Sequence, residues 1–302
     1  MSPRVFGTIC GVLAAVLFAG KAIFVRLAYG HGGGATDLLA WRLAFSMPCF
    51  AAIAAWYAHR QGPLDSTERL RLLLLGVLGY HVASWLDFSG LRFIDAALER
   101  VVLFLYPTVV VALAVLRGRR GIDRNVFLAL AATYGGILLT WGDRIHTARA
   151  IGVLLVAASA VTFAVHLVLI EDVVKRVGST RAMAIAMLGA TTTAVLHALL
   201  LAPQATLHPS AATLGYGAAL ALLATVVPVL LAGAALVRLG AARAAVLGTV
   251  APALTALLGW AVLGESLGPL GWCGIAVTMG GALLMSQPTR VQPATAPGNK
   301  VE

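Results

Sequence analysis

Residues 95–113 read DAALERVVLFLYPTVVVAL, and residues 240–258 read GAARAAVLGTVAPALTALL. A shift of 145 residues lays one stretch on the other and brings Pro107 onto Pro252. The same shift carries Gly135-Gly136 onto Gly280-Gly281, inside TYGGILL and TMGGALL. Over residues 96–139 it gives 11 identities in 44 ungapped positions. It also lays GTICGVLAAVLFAGK (7–21) on GVLLVAASAVTFAVH (152–166). Alanine-rich helices inflate such scores, but one constant shift across three regions marks an internal repeat. The first copy spans 1–145 and the second 146–288.

Each copy is built for a bilayer. Of the 302 residues, 60% are hydrophobic and 11% charged, with a mean hydropathy of +0.91. A soluble domain carries about 25% charged residues. The apolar residues come in blocks near the 20 that a membrane helix needs. Ten spans are expected, at 5–28, 35–57, 71–93, 96–116, 124–142, 150–170, 180–201, 212–237, 243–264 and 268–286. Breakers such as GHGGGATD, RQGPLDSTER and APQATLHPS separate them. The fold class is therefore all-α and integral to the membrane. The proline-rich, polar stretch 289–302 reads as a disordered tail. No gap is long enough for a soluble domain. Arg4 precedes an apolar stretch too long for a simple signal-peptide core, so no cleaved signal is expected.

The net charge of +10 comes from basic residues in the short gaps, which is a topology signal rather than a nucleic-acid footprint. With the N-terminus in the cytoplasm, 15 Lys and Arg lie on the inner side and 5 on the outer: Arg26, Arg92, Arg100, Arg144 and Arg149. Lys21 and Arg42 lie inside spans. Both termini are expected in the cytoplasm. Five spans per copy is an odd number, so the second copy enters the bilayer upside down. Inverted repeats characterise secondary transporters, whose substrate sites lie between the halves near the midplane.

Several residues do not suit a lipid-facing helix. Lys21 sits inside the first span, where insertion costs about 2.5–3.5 kcal/mol. It either snorkels to the outer surface or faces the bundle interior, and under the repeat it aligns with His166. In the third span, GYHVASWLDFSG, the spacing i, i+4, i+7 puts Tyr80, Ser84 and Asp87 on one helix face, with His81 and Trp85 on the adjacent stripe. These are cavity-lining candidates, or in part an interfacial aromatic belt. Asp87 could pair with Lys21 or with Arg42. Asp95 can cap the fourth span, and Glu99 is either a helix-dipole partner or a coupling group. Pro107, after Tyr106, and Pro252 interrupt helices at matching places, which points to a site or to packing kinks. Arg42 either snorkels or neutralises an anionic substrate. Glu265 reads as a helix-end residue. Cys10, Cys49 and Cys273 are far apart and have no metal or disulfide spacing. No metal, cofactor or enzyme motif is present.

Three stretches carry a resemblance to a known family: TDLLAWRLAF (36–45), IDAALERVVLFLYPTVVVAL (94–113) and LGAARAAVLGTVAPALTALLGWAVLGESLGPLGWCGIAVTMGGALL (239–284). The chain resembles the drug/metabolite transporter superfamily, of the EamA-like type, over nearly its whole length. The resemblance implies ten spans in two inverted five-helix repeats and a central cavity lined mainly by spans other than five and ten. It implies proton-coupled or facilitated movement of small metabolites, often amino-acid export, across the cell (inner) membrane. Where many members have Gly-Glu after the fourth span, this chain has Arg119-Arg120. The partners expected are a small-molecule substrate, protons as candidate coupling ions and the lipid bilayer. A homodimer is compatible with the sequence, and nucleic acid is not. An uncoupled uniporter and an intramembrane enzyme are the alternative readings.

Overall fold

The computed structural model describes residues 2–117, 124–143, 149–239, 247 and 250–286. Every regular element among them is helical. α1 is Pro3–Gly30 and α2 is Ala35–Gln61. α3 (Ser66–Gly76), a π-helical turn (Val77–Val82) and α4 (Ala83–Gly90) run on as one apolar rod. α5 (Ala96–Leu103) and α6 (Tyr106–Leu116) follow, then α7 (Arg124–Asp143) and α8 (Ala150–Val177). α9 (Ser179–Leu201), the short α10 (Pro203–Leu207), α11 (Ala211–Ala221), a second π-helical turn (Leu222–Val226) and α12 (Val227–Leu239) come next. α13 (Ala251–Leu258), a third π-helical turn (Gly259–Leu263) and α14 (Pro269–Ser286) close the described chain.

Six of these stretches are long and apolar enough to cross a membrane: Pro3–Gly30, Ala35–Gln61, Ser66–Gly90, Ala150–Val177, Ser179–Leu201 and Ala211–Ala235. The first residues of the expected ninth span, the tail 289–302 and the repeat boundary at 145 lie outside the described residues. So do Arg119, Arg120, Arg144, Arg243, Arg290 and Lys300 of the basic count. Helices suit this setting because each satisfies its own backbone hydrogen bonds where no water can.

The outside of the bundle is apolar: Leu74, Leu154, Leu200 and Trp260 are each more than half exposed. The inside is alanine-rich, with Ala19, Ala22, Ala182, Ala184 and Ala190 fully covered. Lipid supplies no hydrophobic drive between helices, so small residues that let backbones approach do the packing. A Cβ on Gly76 would overlap the Ala186 carbonyl, and one on Gly189 the Leu73 carbonyl, which locks α3 to α9. α7 and α14 meet in the same way. A Cβ on Gly136 would overlap the Thr278 hydroxyl, and one on Gly274 the Thr140 hydroxyl. Gly135 and Gly280 face open space. The contact therefore relates GILLT (136–140) to GIAVT (274–278), a shift of 138 rather than 145.

At two other places the local structure follows the 145 shift. The π-helical turn starting at Val77 corresponds to the one starting at Leu222. Tyr106-Pro107 and Ala251-Pro252 are each the first two residues of a helix. Pro107 is thus not in mid-helix. The break precedes it, at Phe104-Leu105, where Leu105 N–H turns tightly back to the Val102 carbonyl at 3.0 Å. Proline has no N–H to continue the ladder, and it steers the residues before it away from helical geometry. Asp95 caps α5, accepting the Leu98 N–H at 2.8 Å, as expected from sequence. Asp65 caps α3 by accepting the Thr67 N–H, which holds its carboxyl below the usual carboxylate range.

Candidate functional site

A cavity of about 340 Å³ lies inside the bundle. Phe18 and Lys21 reach it from α1, Arg42 from α2, and Tyr80, Ser84 and Asp87 from the α3–α4 rod. Arg100 of α5, Tyr106 of α6, Ser159 and Phe163 of α8, and Ala224 and Ala251 complete most of the wall. Among the described residues, none of α7 or α14 contributes. The face predicted from the i, i+4, i+7 spacing does line the cavity, although Tyr80 sits in a π-helical turn. Such turns insert an extra residue and recur at functional sites.

The polar centre is a charge cluster. Lys21 Nζ donates to Asp87 Oδ2 at 2.5 Å and to Glu99 Oε1 at 3.2 Å. Glu99 is fully covered and Asp87 nearly so. Arg100 Nε lies 3.8 Å from Glu99 Oε2, and its Nη2 donates to the Phe18 carbonyl at 2.9 Å. Of the partners open to Asp87 in the sequence, the geometry selects Lys21. That lysine turns inward and does not snorkel. Arg42 takes a separate place: its Nε donates to Thr225 Oγ1 at 2.9 Å, and its guanidinium lies 5.4 Å from the Phe88 ring centroid. Lys21, Arg42 and Arg100 against Asp87 and Glu99 leave one positive charge in excess. Arg100, counted among the outer residues from sequence, is a buried member of the cluster.

Five expected members lie elsewhere. His166 is buried and does not line the cavity. Its Nδ1–H donates to the Leu75 carbonyl at 2.7 Å, while its ring packs on Tyr80 and Phe163, which do line it. Leu75 just precedes one π-helical turn, and Leu220 precedes the other. The Leu220 carbonyl likewise accepts a side-chain donor, Thr225 Oγ1 at 2.9 Å. Each carbonyl outside the regular ladder is thus satisfied by a side chain, and His166 fills that role in the first repeat. His81 and Trp85 point away from the cavity, toward α9. They line a side pocket of about 420 Å³ with Thr193 and His197. His81 Nδ1 lies 3.0 Å from Thr193 Oγ1 and its Nε2 3.0 Å from His197 Nδ1, while Trp85 Nε1 donates to Thr36 Oγ1. The adjacent stripe of a helix is about 100° away, enough to face another neighbour. Pro107 and Pro252 do not line the cavity; the residues before them, Tyr106 and Ala251, do.

Past the Asp87–Glu99 end of the cavity, the two halves of the chain are tied. Arg26 Nε lies 3.3 Å from Glu265 Oε1, and Glu265 Oε2 accepts the Ala96 N–H at 3.1 Å. Glu265 is thus a helix-end residue that accepts at the N-terminus of α5, far from it in sequence. Tyr29 Oη donates to the Phe88 carbonyl at 2.6 Å nearby. A shallower cleft of about 650 Å³ opens around Arg26, Arg92, Asp95, Arg149 and Glu265. Sequence reasoning missed the Arg26–Glu265 tie, Arg100, Thr225 and the aromatic walls Phe18 and Phe163. A charge beside Glu99 was the one local signal, and it pointed to Arg100. Among the described residues no group of three or more His, Cys, Asp or Glu could hold a metal ion.

A bundle with an apolar exterior thus encloses a buried ionic cluster beside a cavity, and proteins with similar sequences are transporters by family and by name. An uncharacterized transporter, YcbK, of Bacillus subtilis (strain 168) is 30% identical over 272 residues, covering 87% of this chain and 86% of that protein. A solved crystal structure of a protein superposes with a TM-score of 0.62 at 23% identity, over 93% of this chain and 96% of that one, which shows the fold. The EamA-like transporter family matches twice, over residues 5–142 and again over 150–287. Two tandem matches that together span most of the chain place this multi-pass membrane protein in the EamA-like transporter family, within the drug/metabolite transporter superfamily.

Proposed function

We propose that the protein is a secondary transporter that moves small metabolites, amino acids or related compounds among them, across the cytoplasmic membrane by alternating access, with export favoured. Its ten spans form two inverted five-helix repeats, 1–145 and 146–288, with both termini in the cytoplasm. The cavity between the repeats is the substrate site, and protons are the coupling ions. The observation that carries this reading is Lys21 held between Asp87 and Glu99 at the cavity wall. A buried cation shared by two carboxylates has alternative pairings of small energy difference. Binding or losing one proton selects among them, and a substrate charge entering the cavity does the same. The Arg26–Glu265 tie supports a closed outer end in this conformation.

The test has two stages. Metabolites in medium and cytosol are compared with and without the protein, and those whose distribution changes are then followed in sealed vesicles under an imposed proton gradient. Gradient-driven accumulation is expected. Equilibration indifferent to the gradient would instead make the protein an uncoupled uniporter or channel-like facilitator. Product formation without net transport would make it an intramembrane enzyme.

A further inference from the structure

We infer that the cavity takes a small organic carboxylate with an aromatic or apolar body, and that Arg42 is the residue that grips its carboxylate. This deepens the transport reading and rests on it for the cavity being the substrate site.

The argument starts from Arg42. It is 7% exposed and its guanidinium is always charged. Thr225 Oγ1 and the Phe88 ring hold it in place from two sides. Its Nη1 is buried and has no hydrogen-bond partner among the described residues, nor does Arg42 make an ion pair among them. Lys21 and Arg100 have Asp87 and Glu99 as counter-charges. Arg42 is therefore the origin of the excess positive charge. A buried, unpaired cation is costly, and an anion entering the cavity relieves that cost. A guanidinium fork fits a planar carboxylate better than a point charge does.

The rest of the wall shapes the body of the ligand. Phe18, Tyr80, Phe104, Tyr106 and Phe163 all face the cavity. Aromatic faces suit a flat or apolar body better than a phosphate. A volume of about 340 Å³ is near the lower end of small-molecule sites. Among the described residues of this wall, two further buried atoms lack a hydrogen-bond partner: Arg100 Nε, which keeps Glu99 as its counter-charge, and the carboxylate oxygen Asp87 Oδ1. Asp87 Oδ1 can only accept, so a hydroxyl or ammonium beside the ligand's carboxylate completes the match.

The probes are 3-phenyllactate, its primary amide and phenethylamine, titrated against the purified full-length protein by calorimetry. Phenyllactate should bind, and the amide about tenfold or more weakly, because a charge-assisted bond becomes a neutral one. Phenethylamine should not displace phenyllactate. Arg42→Gln should weaken phenyllactate about tenfold to a hundredfold while leaving the amide nearly unchanged, and Arg42→Lys should restore only part. Phenyllactate that fails to bind, or that binds no better than its amide in the wild-type protein, overturns the inference whether or not the variants fold. So does phenethylamine binding more tightly than phenyllactate. The readout needs no gradient: indifference to pH gradients with a retained carboxylate preference would count against coupled transport alone, and coupled transport without that preference against this inference alone.

Discussion

Replacing Lys21 by methionine removes the centre of the charge cluster and nothing else of similar size. Lys21 Nζ is 2.5 Å from Asp87 Oδ2 and 3.2 Å from Glu99 Oε1, and these two side chains are 3% and 0% exposed. At an effective dielectric of about 20, opposite charges about 3 Å apart attract by roughly 5 kcal/mol. Desolvation of the three ions offsets much of that, so the intact cluster contributes little net stability. Taking out the cation alone is a different matter, because two buried carboxylates lose their shared counter-charge. Breaking a buried pair costs about 3–5 kcal/mol. Arg100 stays 3.8 Å from Glu99 Oε2 and keeps part of the attraction, so the lower end is expected. About 3 kcal/mol is roughly a hundredfold in the population of the competent state. Lys21→Met should therefore lower both the thermal midpoint in detergent and the transport rate at matched expression, the latter about a hundredfold. Its pH dependence should flatten. Lys21→Arg should rescue poorly if a compact charge is required between the two acids. Adding Asp87→Asn to Lys21→Met removes one orphaned charge and should recover much of the midpoint but not the coupling, a non-additivity that a double-mutant cycle measures. A Lys21→Met protein with the wild-type midpoint and wild-type transport at every pH would refute the reasoning and leave Lys21 as a helix anchor.

Two further predictions concern residues around the cavity. His166→Ala leaves the Leu75 carbonyl without its donor, a cost of about 1–3 kcal/mol that should show in the thermal midpoint. The pH profile of transport should not move, and a shifted profile would return His166 to the coupling groups. Pro107→Ala and Pro252→Ala allow the helix starts beside Tyr106 and Ala251 to regain backbone bonds. Transport should fall more than membrane insertion does, and normal transport in the double variant would reduce both prolines to packing.

How much of this was legible beforehand depends on whether the signal was local. The repeat, the apolar blocks and the Tyr80–Ser84–Asp87 face are written in residue spacing, and helical geometry carries spacing into space without loss. The π-helical turns are not written there, because in a span apolar on nearly every side one inserted residue leaves no visible break in the pattern; two of them are marked by Leu75 and Leu220, whose carbonyls take side-chain donors. The pairings Lys21–Asp87 and Lys21–Glu99 join residues 66 and 78 apart, and Arg26–Glu265 joins residues from opposite halves. Nothing in either neighbourhood names the partner, so Lys21 and Arg42 competed for Asp87 until their helices were placed. Arg100 was misjudged for a related reason: five residues into a span, an arginine reads as an end marker, and only the packing of α1 against α5 shows that its guanidinium reaches the Phe18 carbonyl. The register of the last helices is the most instructive case. Shifts of 145 and 138 differ by seven residues, about two helical turns, and so present the same face of α14 to α7. Identities in TYGGILL and TMGGALL favour the first, but only the second brings Gly136 against Thr278 and Gly274 against Thr140 at once. In a helix the sequence can specify a face while leaving the height along it to be decided by which small residues let two backbones touch.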